Sequence, residues 1–327
     1  MKLYLATTER AGAGCRRLFA EFEGRLVDLR PAYAARAAAS GTDCRAAYEM
    51  ADYFFPASLE DFLARGKDSR AALEEVAGDI RRRGLAALHA PSGQRIDYGI
   101  DELRLLPPLK NPSKSFVIGF SDRARIDNVP AADIPTAYYK LPQTFVTDGA
   151  PIIWPRFSKE LDVDACIAVV IGKAGRRIKP EQAWEHIAGA TLLIDVTARD
   201  INRREGATTN NLLGKNFPSS TCLGRALLLT DSRREIEGIE AALEADGESR
   251  QQFSLSQCVF SVAQIVARWS ILGIAPGDFL AIGASMARAG DRLGNPAALH
   301  AGATIRCAAT AIGALHHRVV SAGGTAT

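Results

Sequence analysis

The 327-residue chain has no apolar run long enough to cross a bilayer. Its most continuous one, Ala165 to Ile171, falls far short of the roughly 20 residues a membrane helix needs. No excess of one charge is present either: 40 Lys and Arg stand against 37 Asp and Glu, which gives nucleic acid or an anionic membrane surface little to attract. The six cysteines, Cys15, Cys44, Cys166, Cys222, Cys258 and Cys307, show no CxxC spacing. That argues against a zinc ribbon and a secreted disulfide framework, and reduced thiols are expected. The first residues read as a polar-flanked strand rather than a signal peptide. The expectation is a soluble, cytoplasmic protein without nucleic-acid or membrane partners. Histidine is scarce too, with only His89, His186, His300, His316 and His317 available for general-base work near neutral pH.

Hydrophobic residues make up 47% of the chain, ample for a buried core. Met1 to Ala6 and Gly24 to Leu29 read as short strands. Between Ala32 and Ala90 the texture turns to Ala, Glu, Arg and Leu, and Leu59, Phe62, Leu63, Leu73, Val76, Ile80 and Leu85 recur at helical spacing. Arg81-Arg82-Arg83 lies there without a glycine-rich loop, so it reads as a solvated helix end rather than a phosphate site. Leu106-Pro-Pro-Leu-Lys-Asn-Pro112 favours extended chain. The domain boundary is placed there, giving residues 1–110 and 111–327. Beyond it, short apolar runs at Ser115 to Phe120, Pro151 to Trp154, Asp164 to Ile171, Thr191 to Val196, Leu227 to Thr230, Phe279 to Ile282 and Thr304 to Ala309 predict strands. Ser261 to Trp269 predicts a helix that packs on them.

Three clusters carry chemistry. In Leu161-Asp-Val-Asp-Ala-Cys-Ile-Ala-Val-Val-Ile-Gly-Lys173, strand alternation sends Asp162, Asp164 and Cys166 to one side. In Leu192-Leu-Ile-Asp-Val-Thr-Ala-Arg-Asp200 an apolar strand ends on Asp195 and is followed by Arg199 and Asp200. Gly214-Lys-Asn-Phe217 supplies an isolated lysine after a glycine. Carboxylates with nearby cations suit a hard divalent ion and an anionic substrate. The spacing by itself leaves strand-end caps and surface ion pairs as alternatives.

The ordered set Val169-Val-Ile-Gly-Lys173, Asp195-Val-Thr-Ala-Arg-Asp200, Gly214-Lys-Asn-Phe217 and Pro276-Gly-Asp278 resembles the fumarylacetoacetate hydrolase (FAH) superfamily. The likeness runs from about Ser115 to Val320 and includes Ile118-Gly-Phe120, Tyr139-Lys140 and Ala301-Gly-Ala303. It implies an α+β, β-rich protein with a mixed β-roll core behind a smaller, variable N-terminal α/β region. A divalent ion such as Mg²⁺ or Mn²⁺ would bind the oxygens of a small anionic dicarbonyl or 2-oxo acid. The resemblance also makes a homodimer the default.

Carried over residue by residue, the resemblance puts the family's two strand glutamates on Asp164 and Cys166 and its third metal ligand on Asp195. Its substrate-facing arginine, amide and lysine fall on Arg199, Asn202 and Lys215, with Lys140 gaining a similar role. The family's catalytic His and Glu fall on Arg125 and Asn128. An arginine, whose pKa lies above about 12, cannot serve as a general base near neutral pH, so Arg125 reads as an anion binder. Asp122 could supply a carboxylate in place of the lost dyad, or cap a loop. Asp162 could substitute as a ligand after a two-residue slip of register, against which the apolar run Ile167 to Ile171 argues. Cys166 stays open as a soft ligand, a nucleophile or a buried apolar residue. Pro218, Arg225 and Gly283-Ala-Ser285 are further departures.

Only the hydrolytic branch of such chemistry strictly needs activated water. The expectation is therefore enolate stabilisation in a hydrolase or lyase, decarboxylase, dehydratase or isomerase reaction, with either a divalent metal (Mg²⁺ or Mn²⁺) on Asp164 and Asp195 or a metal site that is weakened or absent. The alternative is a non-catalytic or metal-independent protein of this fold that binds or converts a small anion.

Overall fold

A computed structural model describes residues 1–8, 15–119, 134–206, 211–283 and 299–322. Three strands open the chain: β1 (Lys2–Thr8), β2 (Arg16–Phe22) and β3 (Arg25–Asp28). The β2–β3 turn places Glu23 and Gly24 at positive φ, which suits the twist of a tight hairpin. β3 stops at Asp28 because its carboxylate accepts from the Arg30 N–H and caps α1 (Leu29–Ala39). The helical stretch continues as α2 (Cys44–Phe54), α3 (Leu59–Ala64) and α4 (Lys67–Arg83), followed by β4 (Asp97–Tyr98) and β5 (Leu103–Leu106). The predicted apolar stripe is buried from Leu59 through Ile80, and the three arginines form the exposed last turn of α4. Arg82 and Arg83 pair with Asp79 there.

Then come β6 (Ser115–Ile118), β7 (Ala137–Tyr139), β8 (Phe145–Val146), β9 (Ile152–Trp154), β10 (Leu161–Ile171), β11 (Ile187–Ala198), α5 (Arg199–Gly206), β12 (Thr221–Leu223) and β13 (Ala226–Leu229). The chain closes with α6 (Arg233–Glu237), β14 (Glu240–Ala245), β15 (Glu248–Ser254), α7 (Val262–Trp269), β16 (Phe279–Ile282), β17 (Thr304–Ala309) and β18 (Gly313–Ser321). The expected helix at Ser261 to Trp269 is α7. Ser261 and Gln264 cap it reciprocally, with the Gln264 N–H donating to Ser261 Oγ and the Ser261 N–H to Gln264 Oε1.

The described strands form two sheets. The larger runs β4-β3-β2-β1-β13-β11-β10-β16-β6-β7, with β5 on β1 and β12 bridging β11 to β8; the smaller runs β15-β14-β17-β18-β9. Strands before and after the proline-rich segment share the larger sheet, since β1 pairs antiparallel with β13. β10 and β11 extend well beyond the apolar runs that announced them, because they pair along their whole length from Leu161↔Ala198 to Ile171↔Ile187. β2, β4, β5, β7, β8 and β12 were not predicted as strands, and neither were β14, β15 and β18. In the last three the outward positions are mostly polar or small residues, so only every second residue faces the core.

Alternation on β10 divides the core. Ile167, Val169 and Ile171 pack with Leu243, Ile265, Val266 and Leu315 on the side of the smaller sheet. Cys166, Ala168 and Val170 pack in the cluster that includes Leu29, Phe62, Leu73 and Val76 of the helical region. The larger sheet also curls: β8 lies parallel on β12, and the Phe145 ring comes within 5.8 Å of Phe279 on β16. That curl is the mixed β roll, and it brings β7 across to β11.

Candidate active site

The site is built where β10, β11 and the end of β7 meet. Asp164 on β10 stands directly opposite Asp195 on β11, and Asp162 opposite Thr197, so all four side chains share one face. Both aspartates of the direct pair are buried. Two like charges facing each other across a ladder destabilise a sheet unless cations separate them. Three cations do so here.

Lys140, one residue past β7, donates through Nζ to Asp195 Oδ1 at 2.9 Å, to the carbonyl of Ser220 at 3.0 Å and to the carbonyl of Lys215. All three partners only accept, so three N–H groups are required and the lysine is an ammonium. Burial pulls the Lys140 pKa down, and Asp195 opposes that pull. Lys215 donates through Nζ to Asp195 Oδ2 and to Thr197 Oγ1, each at 2.6 Å, and lies 4.6 Å from the centre of the Tyr138 ring. The Tyr138 hydroxyl donates to the same Asp195 oxygen. Lys140, Lys215 and Asp195 are all 0% exposed. Burial alone would raise the Asp195 pKa, but the charges of Lys140 and Lys215 override it and hold the carboxyl well below its usual range.

Arg199, the first residue of α5, donates through Nε to Asp162 Oδ2 at 2.8 Å and through one terminal nitrogen to Asp164 Oδ2 at 3.3 Å. Its side chain is 12% exposed and that of Asp162 38%, so this pair is the more open side of the cluster. Burial raises the Asp162 pKa, but Arg199, the Val163 N–H and the Lys215 charge together outweigh it, and the net shift is downward. The cluster thus sets three carboxylates, Asp162, Asp164 and Asp195, against three cations.

Backbone devices hold the lysines in place. Gly214 packs so closely on α5 that an added Cβ would lie 2.8 Å from the Asn202 nitrogen. Glu205 accepts from the N–H groups of Leu213 and Gly214 at 2.7 and 2.8 Å. Asn202 donates to Asn211 Oδ1 at 2.7 Å, so its amide braces the segment leading to Lys215. Asn216 accepts from the Leu141 N–H and donates to the Tyr139 carbonyl, which ties the two lysine-bearing segments together.

The structure therefore brings Asp162, Asp164, Asp195, Arg199, Lys140 and Lys215 together. Asp122, Arg125 and Asn128 lie outside the described residues. Cys166 lies two residues along from Asp164 on the same face, opposite Leu193. Its thiol is 0% exposed, and burial, then Asp195 and Asp164, push its pKa well above that of a free cysteine. Sequence reasoning missed Tyr138, Thr197, Ser220 and Glu205. Alternation could have found the first two, since Tyr138 sits two residues from Lys140 and Thr197 two from Asp195.

A divalent ion on Asp164, Cys166 and Asp195 does not fit this donor set. Asp195 already receives two ammonium groups and a phenol, Asp164 receives Arg199, and Cys166 would have to lose a proton beside two carboxylates. Among the described residues, no group of three or more His, Cys, Asp or Glu is placed to hold a metal.

A curled mixed β roll enclosing a carboxylate–cation cluster defines the class of protein. The profile of the fumarylacetoacetate (FAA) hydrolase C-terminal family matches residues 117–320, and the chain belongs to that family. It is 30% identical over 272 residues, 82% of each chain, to the rat protein named oxaloacetate tautomerase Fahd2a, mitochondrial. It is 32% identical over 222 residues, 67% of this chain and 69% of the relative, to the oxaloacetate tautomerase fahd2, mitochondrial, of Xenopus laevis. The solved fumarylacetoacetate hydrolase of Exiguobacterium antarcticum superposes with a TM-score of 0.72 at 21% identity, covering 98% of this chain and 100% of that one. That likeness shows the fold. No helix among the described residues is long and apolar enough to cross a membrane.

Proposed function

We propose that the protein is an isomerase of this family that interconverts the keto and enol forms of a small 2-oxo dicarboxylic acid of the oxaloacetate type. The observation that carries the reading is the convergence of Lys140, Lys215 and Arg199 on one buried cluster. The named relatives at 30% and 32% identity, both oxaloacetate tautomerases, support it. Tautomerisation moves one proton from carbon 3 to the 2-oxo oxygen and shifts the double bond. It consumes no water and so needs no activated nucleophile, though a base must still take the carbon-3 proton. Its demand is stabilisation of the enolate, which fixed cations in a low-dielectric site provide. Arg199, at the more open side, would take a substrate carboxylate in addition to Asp162 and Asp164. Lys215 would set the positive potential for the 2-oxo oxygen.

The test is the ultraviolet absorbance of enol-oxaloacetate, followed as it relaxes to the keto form with and without protein. Acceleration by the wild type, reduced about 100-fold in kcat/KM by Arg199→Met as expected for loss of a charged contact, supports the reading. No acceleration for oxaloacetate or other 2-oxo dicarboxylic acids overturns it. One observation favours a second reading, a non-catalytic anion binder: every N–H of Lys140 already has a protein acceptor. A melting temperature raised by oxaloacetate without any acceleration would select that reading.

A further inference from the structure

The cluster departs from what a metal-binding member of the family requires at one position above all. Cys166 stands where the resemblance calls for a carboxylate, and the two remaining candidate ligands are already neutralised by ammonium and guanidinium groups. We propose that this chain works without a divalent ion. The Lys140 and Lys215 ammonium groups supply the positive charge on Asp195, and Cys166 is the residue that closes the site to hard metals.

The argument is one of charge and donor chemistry. Among the described residues the cluster sets three carboxylates against three cations, so a divalent ion would add two uncompensated charges beside the fully buried Asp195. Mg²⁺ and Mn²⁺ select oxygen donors, and Cys166 presents a soft sulfur where the resemblance calls for a carboxylate oxygen. The Lys140 ammonium is meanwhile caged as a small cation would be, by a carboxylate oxygen, two carbonyls and the Ser220 hydroxyl at 3.4 Å. Asn216 and Glu205 keep both lysine segments from swinging away. A carboxylate at position 166 would point to the same face as Asp164 and Asp195 and leave the cluster one negative charge in excess. That excess is what a cation needs.

The claim that turnover continues without metal rests on the isomerase reading; the claim about binding does not. The experiment is calorimetric titration of MnCl₂ and MgCl₂ into protein freed of metal by chelator, for the wild type and Cys166→Glu, with the Mn²⁺ spin-resonance signal recorded in parallel. No saturable binding by the wild type up to millimolar metal is expected, with at least 100-fold tighter Mn²⁺ binding in Cys166→Glu. Stoichiometric binding by the wild type below 0.1 mM overturns the proposal. So does a folded Cys166→Glu that gains nothing. Should that variant fail to fold, Cys166→Asp replaces it, and the wild-type titration decides in any case. On the activity side, tautomerisation within twofold of its original rate in chelator supports the proposal. Loss of activity in chelator with recovery on Mg²⁺ or Mn²⁺ overturns it while upholding the isomerase reading. No turnover under either condition sinks the isomerase reading and leaves the binding claim to the calorimeter.

Discussion

Asp164 and Asp195 stand directly opposite each other on β10 and β11, and each is held by a different cation, Arg199 for the first and the Lys140–Lys215 pair for the second. The cations separate two buried negative charges that would otherwise repel. Loss of Asp195 leaves the buried Lys140 and Lys215 without their shared carboxylate.

Asp195→Asn is therefore expected to cost about 3–5 kcal/mol of folding stability, since it leaves two buried ammonium groups facing one neutral amide. Urea unfolding of the variant measures this. In a double-mutant cycle with Lys140→Met, the combined loss should be smaller than the sum of the single losses. Strict additivity would show that the contact contributes little.

Acid should weaken the protein through the same cluster. Asp162 and Asp195 have folded-state pKa values below their unfolded value near 4. Their contribution is present above that pH and is lost as pH falls through the lower folded values. Asp28 runs the other way. Burial, only partly offset by Arg17, raises it to about 6, so its contribution is full below about pH 4 and is lost as pH rises through about 6. Stability measured against pH should fall below about 4, and Asp28→Asn should remove the slope between about 4 and about 6. An unchanged slope in that variant would contradict the assignment.

Gly214→Ala should destabilise by about 1–3 kcal/mol, because its Cβ would meet the Asn202 backbone at 2.8–2.9 Å and push the Lys215 turn away from α5. Gly206→Ala is the control, since nothing lies within 4 Å of its added Cβ. Equal melting temperatures for the two variants would refute close packing at Gly214.

Buried Gln251 bridges the two sheets. It accepts from the Ala165 N–H at 2.7 Å and donates to the carbonyls of Ala165 and Gly283 at 3.2 and 3.0 Å. Gln251→Leu should cost about 2 kcal/mol through unmet backbone groups next to Asp164. Denaturant unfolding reads the loss, and a variant as stable as the wild type would show that the bridge is dispensable.

Thiol titration separates the readings of Cys166. Cys15 and Cys44 are exposed and the other four cysteines are buried, so two thiols should react in the native protein and six after denaturation. Rapid modification of a third thiol, mapped to Cys166 by mass spectrometry, would restore the nucleophile reading.

Local chemistry was legible in the sequence wherever a short-range rule governs it. Period-two alternation placed Asp162, Asp164 and Cys166 on one face of β10, the helical stripe from Leu59 to Ile80 marked a buried face, and the apolar stripe from Ser261 to Trp269 marked α7. The ordered motifs also carried the family, which the match over residues 117–320 bears out. β14, β15 and β18 escaped because strands with one polar face leave too few apolar residues to stand out. What Asp195 touches could not be read at all. Lys140 is 55 residues away along the chain and Lys215 is 20, and no local pattern states that one carboxylate receives both. That contact exists because the sheet curls until β7 reaches β11, and the curl is set by pairings such as β8 on β12 and by packing such as Phe145 on Phe279. The sequence by itself determined which charged residues share a face. Only the tertiary structure decided which of them neutralise one another, because desolvation and charge pairing depend on distances that the fold alone creates.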